Sequence, residues 1–354
     1  MKNVWMIVAC LSFLMVSCVD DHEIGIDKID SKSDVYVAGY ELSPNGQYLR
    51  GGYWKNGKQT VLSKAGLSPE SIFLSGQDVY VAGSEVGPVG NNLLKYWKNG
   101  HAVSLTDGMT SDINGGYIVV NGRDVYVAAS EWSGVGYAAK VWKNGIPTSL
   151  TDGSVTAFVK GLVISGTDVY VVGHEESAAG GQTHFVAKYW KNGEVVQLAA
   201  DPTVDSFGMD LKVFNGDVYA CGYESINGKL VAVYWKNGVR TILTQSDFSF
   251  ARSIFVSNSG VYTCGAELVG GSIYATYWVN GTSVHLSDGQ KDASASSIVV
   301  SGTDVYVTGW DGDFSNHIAK VWKNDVAVNL TDGSTNAYAF AIALSAGARE
   351  EKEK

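Results

Sequence analysis

Asp78-Val79-Tyr80-Val81-Ala82-Gly83 and, a little further on, Tyr96-Trp97-Lys98-Asn99-Gly100 decide the fold of this chain. The first phrase recurs as a pattern beginning at Asp34, Asp78, Asp124, Asp168, Asp217 and Asp304, with the variant Gly260-Val261-Tyr262. The second recurs around Trp54, Trp97, Trp142, Trp190, Trp235, Trp278 and Trp322. Successive copies lie 43 to 49 residues apart. A fixed period of this length with strand-like content marks a propeller or solenoid.

Each repeat carries four strand signals. Strand A reads like Ser297-Ile298-Val299-Val300. Strand B reads Asp304-Val305-Tyr306-Val307, alternating β-branched and aromatic residues. Strand C ends at the Trp, and strand D is a short run closing on leucine, as in Ala102-Val103-Ser104-Leu105. Seven such sets predict an all-β, seven-bladed β-propeller with four antiparallel strands per blade. The first strand B, at Asp34, has no good strand A before it, whereas an extra A-like run, Ala339 to Ser345, follows the last strand D. Placing that run innermost in the first blade closes the ring and leaves no unpaired edge. The rival, Glu23 to Lys28 as the missing strand, would orphan the carboxy-terminal run.

Composition agrees. The 354 residues are 45% hydrophobic, with 42 Gly and 5 Pro, as short strands joined by tight turns require. Acidic residues outnumber basic ones, 36 to 26, which argues against a nucleic-acid partner.

The amino terminus reads as an address. Lys2 precedes an apolar run from Val4 to Val16, too short to span a bilayer and suited to a signal-peptide core. It ends in Met15-Val16-Ser17-Cys18, which resembles the lipobox of bacterial lipoproteins, with Met where Leu is usual. The resemblance implies cleavage before Cys18, acylation of Cys18 (palmitate among the lipids) and a membrane anchor through it. The following Val19-Asp20-Asp21-His22-Glu23 resembles the export signal of surface lipoproteins in the Bacteroides group. The expected organisation is a signal peptide over 1–17, a tether over 18–33, the propeller over 34–347 and a charged tail over 348–354. The expected location is the bacterial outer membrane.

The repeat resembles Kelch-type propellers in its V-Y-V…G and following Trp, but lacks their double glycine. It is more similar to the W-K-N-G repeat lipoproteins of Bacteroidetes, a resemblance covering about Asp34 to Gly347 and bringing no functional residues with it.

Cys221 and Cys264 occupy one slot in adjacent repeats, filled elsewhere by Ala38, Ala82, Ala128, Val172 and Thr308. Equivalent strands of neighbouring blades pack about 10 Å apart, and a disulfide needs Cα atoms within about 7 Å. Two free, buried thiols are therefore expected.

The A–B connections and the Asn-Gly C–D turns share one face, because strands alternate direction; both are tight and repeat from blade to blade. The B–C and D–A loops share the other face and are expected to be longer and more varied, which is where binding residues usually sit. An acid follows strand B in every blade: Glu41, Glu85, Glu131, Glu175, Glu224, Glu267 and Asp311. Lys95, Lys140, Lys188 and Lys320 are expected to pair with it across the strand, while Gly52, Val233 and Thr276 hold that position in blades one, five and six. The alternative is an acidic ring that attracts a cation or basic ligand, with Asp107, Asp152, Asp288 and Asp332 adding to its field.

Positions that vary within the constant frame are the candidate ligand contacts. The slot before strand A reads Glu70, Gly116, Lys160, Asp210, Arg252, Ser296 and Phe340, expected around the channel mouth. The slot before the acids reads Tyr40, Ser84, Ser130, His174, Tyr223, Ala266 and Trp310, with Trp132 just beyond Glu131. Aromatics beside polar groups suit sugar rings; the bland alternatives are a solvated charged rim and aromatics that cover blade ends. His174, His184 and His317 have no metal-ligand spacing, and no catalytic or phosphate-binding motif is present, so no metal or cofactor is implied. The expected function is non-enzymatic binding of a glycan or protein through the B–C/D–A face. The alternatives are a glycan-cleaving enzyme using two loop-face carboxylates, and a structural subunit of a surface complex.

Overall fold

A computed structural model describes residues 33–109, 111–313 and 316–345. Cys18, the Glu23–Lys28 run and the charged tail lie outside the described residues. Seven four-stranded antiparallel sheets form the described chain, each ordered A-B-C-D. In the first, strand A is Ala337–Leu344, B is Val35–Leu42, C is Leu49–Lys55 and D is Lys58–Ser63. The carboxy-terminal strand thus pairs with the first strand of the chain, Val35 opposite Leu344 and Glu41 opposite Ala337, and closes the ring as expected.

The core lies between blades. All seven repeat tryptophans are buried. Each removes roughly 200 Å² from water, which at about 25 cal/mol per Å² is an upper bound near 5 kcal/mol per side chain. The small slot opposite strand A is sealed: Ala38, Ala82, Ala128, Val172, Cys221, Cys264 and Thr308 are all 0% exposed. Both cysteines are free, and burial pushes both thiols above their usual range.

The two repeated phrases are two halves of one clasp. Asn56 donates from Nδ2 to Asp34 (2.7 Å) and accepts at Oδ1 from the Val35 amide (2.8 Å), while the Lys55 ammonium lies 2.7 Å from Asp34. The same lysine sits 5.2 Å from the Tyr36 ring centroid. Asn56 and Gly57 have positive φ, 46° and 78°, as the two-residue hairpin demands. Blade six lacks both ionic members at once, with Gly260 for the aspartate and Val279 for the lysine, and keeps only the Asn280 bond to the Val261 amide (3.0 Å).

Strand A is bulged in every blade. The register skips one residue at Glu70, Lys160, Met209, Arg252, Ser296 and Phe340, and two at Gly115-Gly116. Each single-residue bulge drives a strand-A carbonyl against the neighbouring strand B. That explains the glycine closing D-V-Y-V-A-G: a Cβ on Gly39, Gly83, Gly173, Gly222, Gly265 or Gly309 would fall on the carbonyl oxygen of Tyr338, Ser68, Phe158, Phe207, Phe250 or Ser294. In blade three the glycine has moved across the pair, with Ala129 on strand B and Gly115-Gly116 on strand A.

Candidate functional site

The seven innermost strands enclose a central cavity of about 580 Å³. Strand A enters it from the B–C/D–A face, so the bulges stand at that mouth. They present Glu70, Lys160, Met209, Arg252, Ser296 and Phe340 there, with the Gly115-Gly116 bulge followed by Tyr117. Deeper in, the lining is mostly apolar, including Phe73, Val119, Val163, Phe255 and Val299, with Lys212 and Asn121 among its polar residues.

The register corrects one placement. Met209, not Asp210, holds the bulge position of blade five. Asp210 lies one residue deeper and is already engaged. It accepts from Lys212 Nζ (2.9 and 3.1 Å), Ser253 Oγ (2.9 Å) and the Ile254 amide (3.0 Å), tying blade five to blade six.

The other bulge charges are less committed. Lys160 Nζ reaches Asn114 Oδ1 at 3.3 Å and lies 5.6 Å from the Phe158 ring centroid. The Arg252 guanidinium lies 4.9 Å from the Phe250 centroid. Glu70 has the Ser68 hydroxyl at 3.3 Å. Burial raises the Glu70 carboxyl, and the nearby Lys160 and Arg252 charges oppose this. Burial lowers the Lys160 ammonium, with Glu70 opposing and Arg252 reinforcing. Tyr117, enclosed beside Glu70 and Asp210, is held far above the usual phenol range by burial and by those two charges.

Aromatic side chains form two arcs around this mouth. One runs through blades three to six: Trp132 to Tyr137 (5.3 Å), Tyr137 to Phe158 (5.3 Å), Phe158 to His174 (5.6 Å), His174 to Phe207 (4.9 Å), Phe207 to Tyr223 (4.6 Å, stacked) and Tyr223 to Phe250 (6.2 Å). The other joins blades seven and one: Trp310 to Tyr338 (5.7 Å), then Tyr338 to both Tyr40 (5.4 Å) and Phe340 (6.2 Å). Four of the expected residues, Tyr40, Tyr223, Trp310 and Trp132, keep solvent contact in these arcs. His174 does not: it is 5% exposed, packed among Phe158, Phe185 and Phe207, and its Nδ1 has no hydrogen-bond partner. Burial lowers its pKa to about 3, so the imidazole is neutral.

Phe158, Phe207, Phe250 and Tyr338, two residues before a strand-A bulge, are contributors that sequence reading missed. Each pairs directly with the varied strand-B slot: His174, Tyr223, Ala266 and Tyr40. The aromatic–x–charge spacing in Phe158-Val159-Lys160 and Phe250-Ala251-Arg252 was the available signal.

The acids after strand B are structural. Lys95, Lys140, Lys188 and Lys320 pair with Glu85, Glu131, Glu175 and Asp311 as expected. Where the lysine is absent, another partner arrives: Arg50 on Glu41 (3.7 Å), Arg240 on Glu224 and the His285 imidazole, whose Nε2 lies 3.4 Å from Glu267. Some of these acids accept further hydrogen bonds, Glu85 from Ser63 of the preceding blade and Glu131 from Ser111 in the D–A loop (2.6 Å). Asp107, Asp152, Asp288 and Asp332 each cap their own turn, accepting from the amide two residues on. Among the described residues no group of three His, Cys, Asp or Glu is placed to hold a metal ion.

As expected, most loops on this face are longer and more varied than the two-residue turns opposite: the B–C links of blades one to four span four to six residues. The B–C links of blades five and six are two-residue hairpins, Asn227-Gly228 and Gly270-Gly271. Variation there comes from the bulge residues and strand ends more than from long loops.

No protein-family model matches this chain, nor does any curated protein. Solved structures similar in fold include TolB from Acinetobacter baumannii, 12% identical over 87% of this chain and 82% of that one, with a TM-score of 0.48. A Trypanosoma rangeli sialidase in complex with sialic acid is 10% identical, over 86% of this chain and 57% of that one, with a TM-score of 0.44. A Mycobacterium tuberculosis puromycin-hydrolyzing peptidase is 12% identical over 76% of this chain, with a TM-score of 0.46; this chain spans 47% of its length. At these identities and scores the likeness is one of architecture and says nothing of activity.

Proposed function

We propose that the protein binds a glycan, without cleaving it, at the channel mouth on the B–C/D–A face. The observation that carries this reading is the pair of aromatic arcs, Trp132 through Phe250 and Trp310 through Phe340, around a mouth that also presents Glu70, Lys160 and Arg252. Partly exposed rings supply flat apolar surface for the faces of sugars, and a few polar groups orient them.

A glycan-cleaving role is less well supported. Glycoside hydrolysis needs two carboxyl groups flanking the bond, about 5 to 9 Å apart. Six of the seven strand-B acids are held in ion pairs with Lys or Arg, Glu267 lies against His285 and Thr244, and Asp210 is engaged by Lys212, Ser253 and Ile254. A protein-binding role has one observation in its favour: Val86, Val89, Met109, Val135 and Val155, at strand ends and loops of the same face as Trp132, are exposed, Val135 to 73%.

The signal-like start and Cys18 support an outer-membrane lipoprotein. Asp34 enters the fold on the tight-turn face, beside Lys55, Asn56 and Ser345. A lipid tether leading to it would turn the aromatic mouth away from the bilayer.

The test is a glycan array probed with residues 24–354, which hold all 28 strands of the seven sheets. Retention on one or more sugars is expected. Silence across neutral and acidic sugars would contradict the proposal and direct the search to a protein partner.

A further inference from the structure

In a chain of net charge −10, the channel lining carries three cations, Lys160, Lys212 and Arg252, against two carboxylates, Glu70 and Asp210. Lys212 and Asp210 neutralise each other at 2.9 Å. What remains is Lys160, with Arg252 beyond one intervening blade on one side and Glu70 beyond one on the other. Lys160 and Arg252 come from the bulges of blades four and six, with only Met209 of blade five between them in ring order.

Both cations are steered by the same device. Each leans on a ring two residues earlier in its own strand, Phe158 or Phe250. Neither forms an ion pair among the described residues, although six of the seven strand-B acids pair with Lys or Arg. Lys160 is half-buried and its only hydrogen bond there is to Asn114, so much of its donor capacity is free. The Arg252 guanidinium is exposed to the lumen, and a planar fork of this kind matches a carboxylate or sulfate with two parallel hydrogen bonds. Between the two cations lies the densest part of the aromatic arc, Phe158, Phe207, Tyr223 and Phe250.

We infer that the channel mouth selects an anionic oligosaccharide, its carboxylate or sulfate held between Lys160 and Arg252 while its ring lies against the Phe207–Tyr223 stack. This rests on the glycan-binding reading and adds the charge of the sugar to it. Glu70 would disfavour a second acidic group placed across the mouth.

The experiment is calorimetric titration of residues 24–354 with tetragalacturonate, its fully methyl-esterified form and a κ-carrageenan tetrasaccharide, which carries sulfate and no carboxylate. At least one acidic probe is expected to bind about tenfold or more tightly than the ester, the scale of one hydrogen bond to a charged group. Comparing the uronate with the sulfated probe identifies the source of the charge. Arg252→Met and Lys160→Met should each reduce the acid-to-ester affinity ratio about tenfold. Glu70→Gln should raise the affinity for the acidic probe, an opposite change that general loss of folding cannot mimic. Equal binding of acid and ester, or a ratio unmoved by Arg252→Met, would overturn the anion site while leaving glycan binding in place. Binding of none of the three probes would also overturn it, and the array then decides the broader reading separately.

Discussion

The Lys95 ammonium is paired with the Glu85 carboxylate, whose side chain is only 7% exposed and also accepts from Ser63 of the preceding blade. On the opposite face Lys55 pairs with Asp34 at 2.7 Å, where both side chains are at least 40% exposed. Depth should separate the two. Removing one partner of a buried pair strands the other charge, whereas an exposed pair contributes little. Lys95→Met is expected to destabilise the protein by about 3 kcal/mol, and Lys55→Met by less than about 1 kcal/mol. Urea unfolding of both variants checks this; equal losses would contradict it.

Gly222 and Ala129 make a second test. A methyl group on Gly222 would fall on the Phe207 carbonyl oxygen, so Gly222→Ala should cost about 3 kcal/mol or more. In blade three the same constraint is met by Gly115-Gly116 on strand A, so Ala129→Gly should cost about 1 kcal/mol or less. Thermal midpoints of the two variants decide the matter, and a benign Gly222→Ala would refute the bulge account.

His174 makes stability depend on pH. Its folded pKa, about 3, lies below its ordinary value of 6.5, so the unfolded chain takes up a proton first as pH falls. Stability present above about pH 6.5 is therefore lost progressively as pH drops toward the folded value, at up to about 1.4 kcal/mol per pH unit. Between pH 6.5 and about 5, above most carboxylate titration, the melting temperature should fall, and His174→Leu should flatten that slope. A slope unchanged by the substitution would show that the imidazole is not the group responsible.

The architecture could be read from the sequence because strand, turn and repeat signals agreed in every blade. D-V-Y-V and W-K-N-G proved to be the two sides of one clasp, and the orphaned Ala339–Ser345 run had one place to go. The site was harder to read. Phe158, Phe207 and Phe250 resemble ordinary strand residues until the bulge two positions later turns them to the mouth. Asp210 looked like a free charge because a one-residue shift in register, and a partner 43 residues away at Ser253, cannot be seen in a linear pattern. Arg50, Arg240 and His285 showed the same difficulty, reaching the acids from positions outside the repeated lysine slot.

The most direct measurement of the central claim is the array comparison of wild-type residues 24–354 with a Trp132→Ala/Trp310→Ala variant, one substitution in each aromatic arc. The variant is expected to lose most of the signal on every sugar that wild type retains. Undiminished binding by the folded variant would contradict the assignment of ligand recognition to the aromatic mouth.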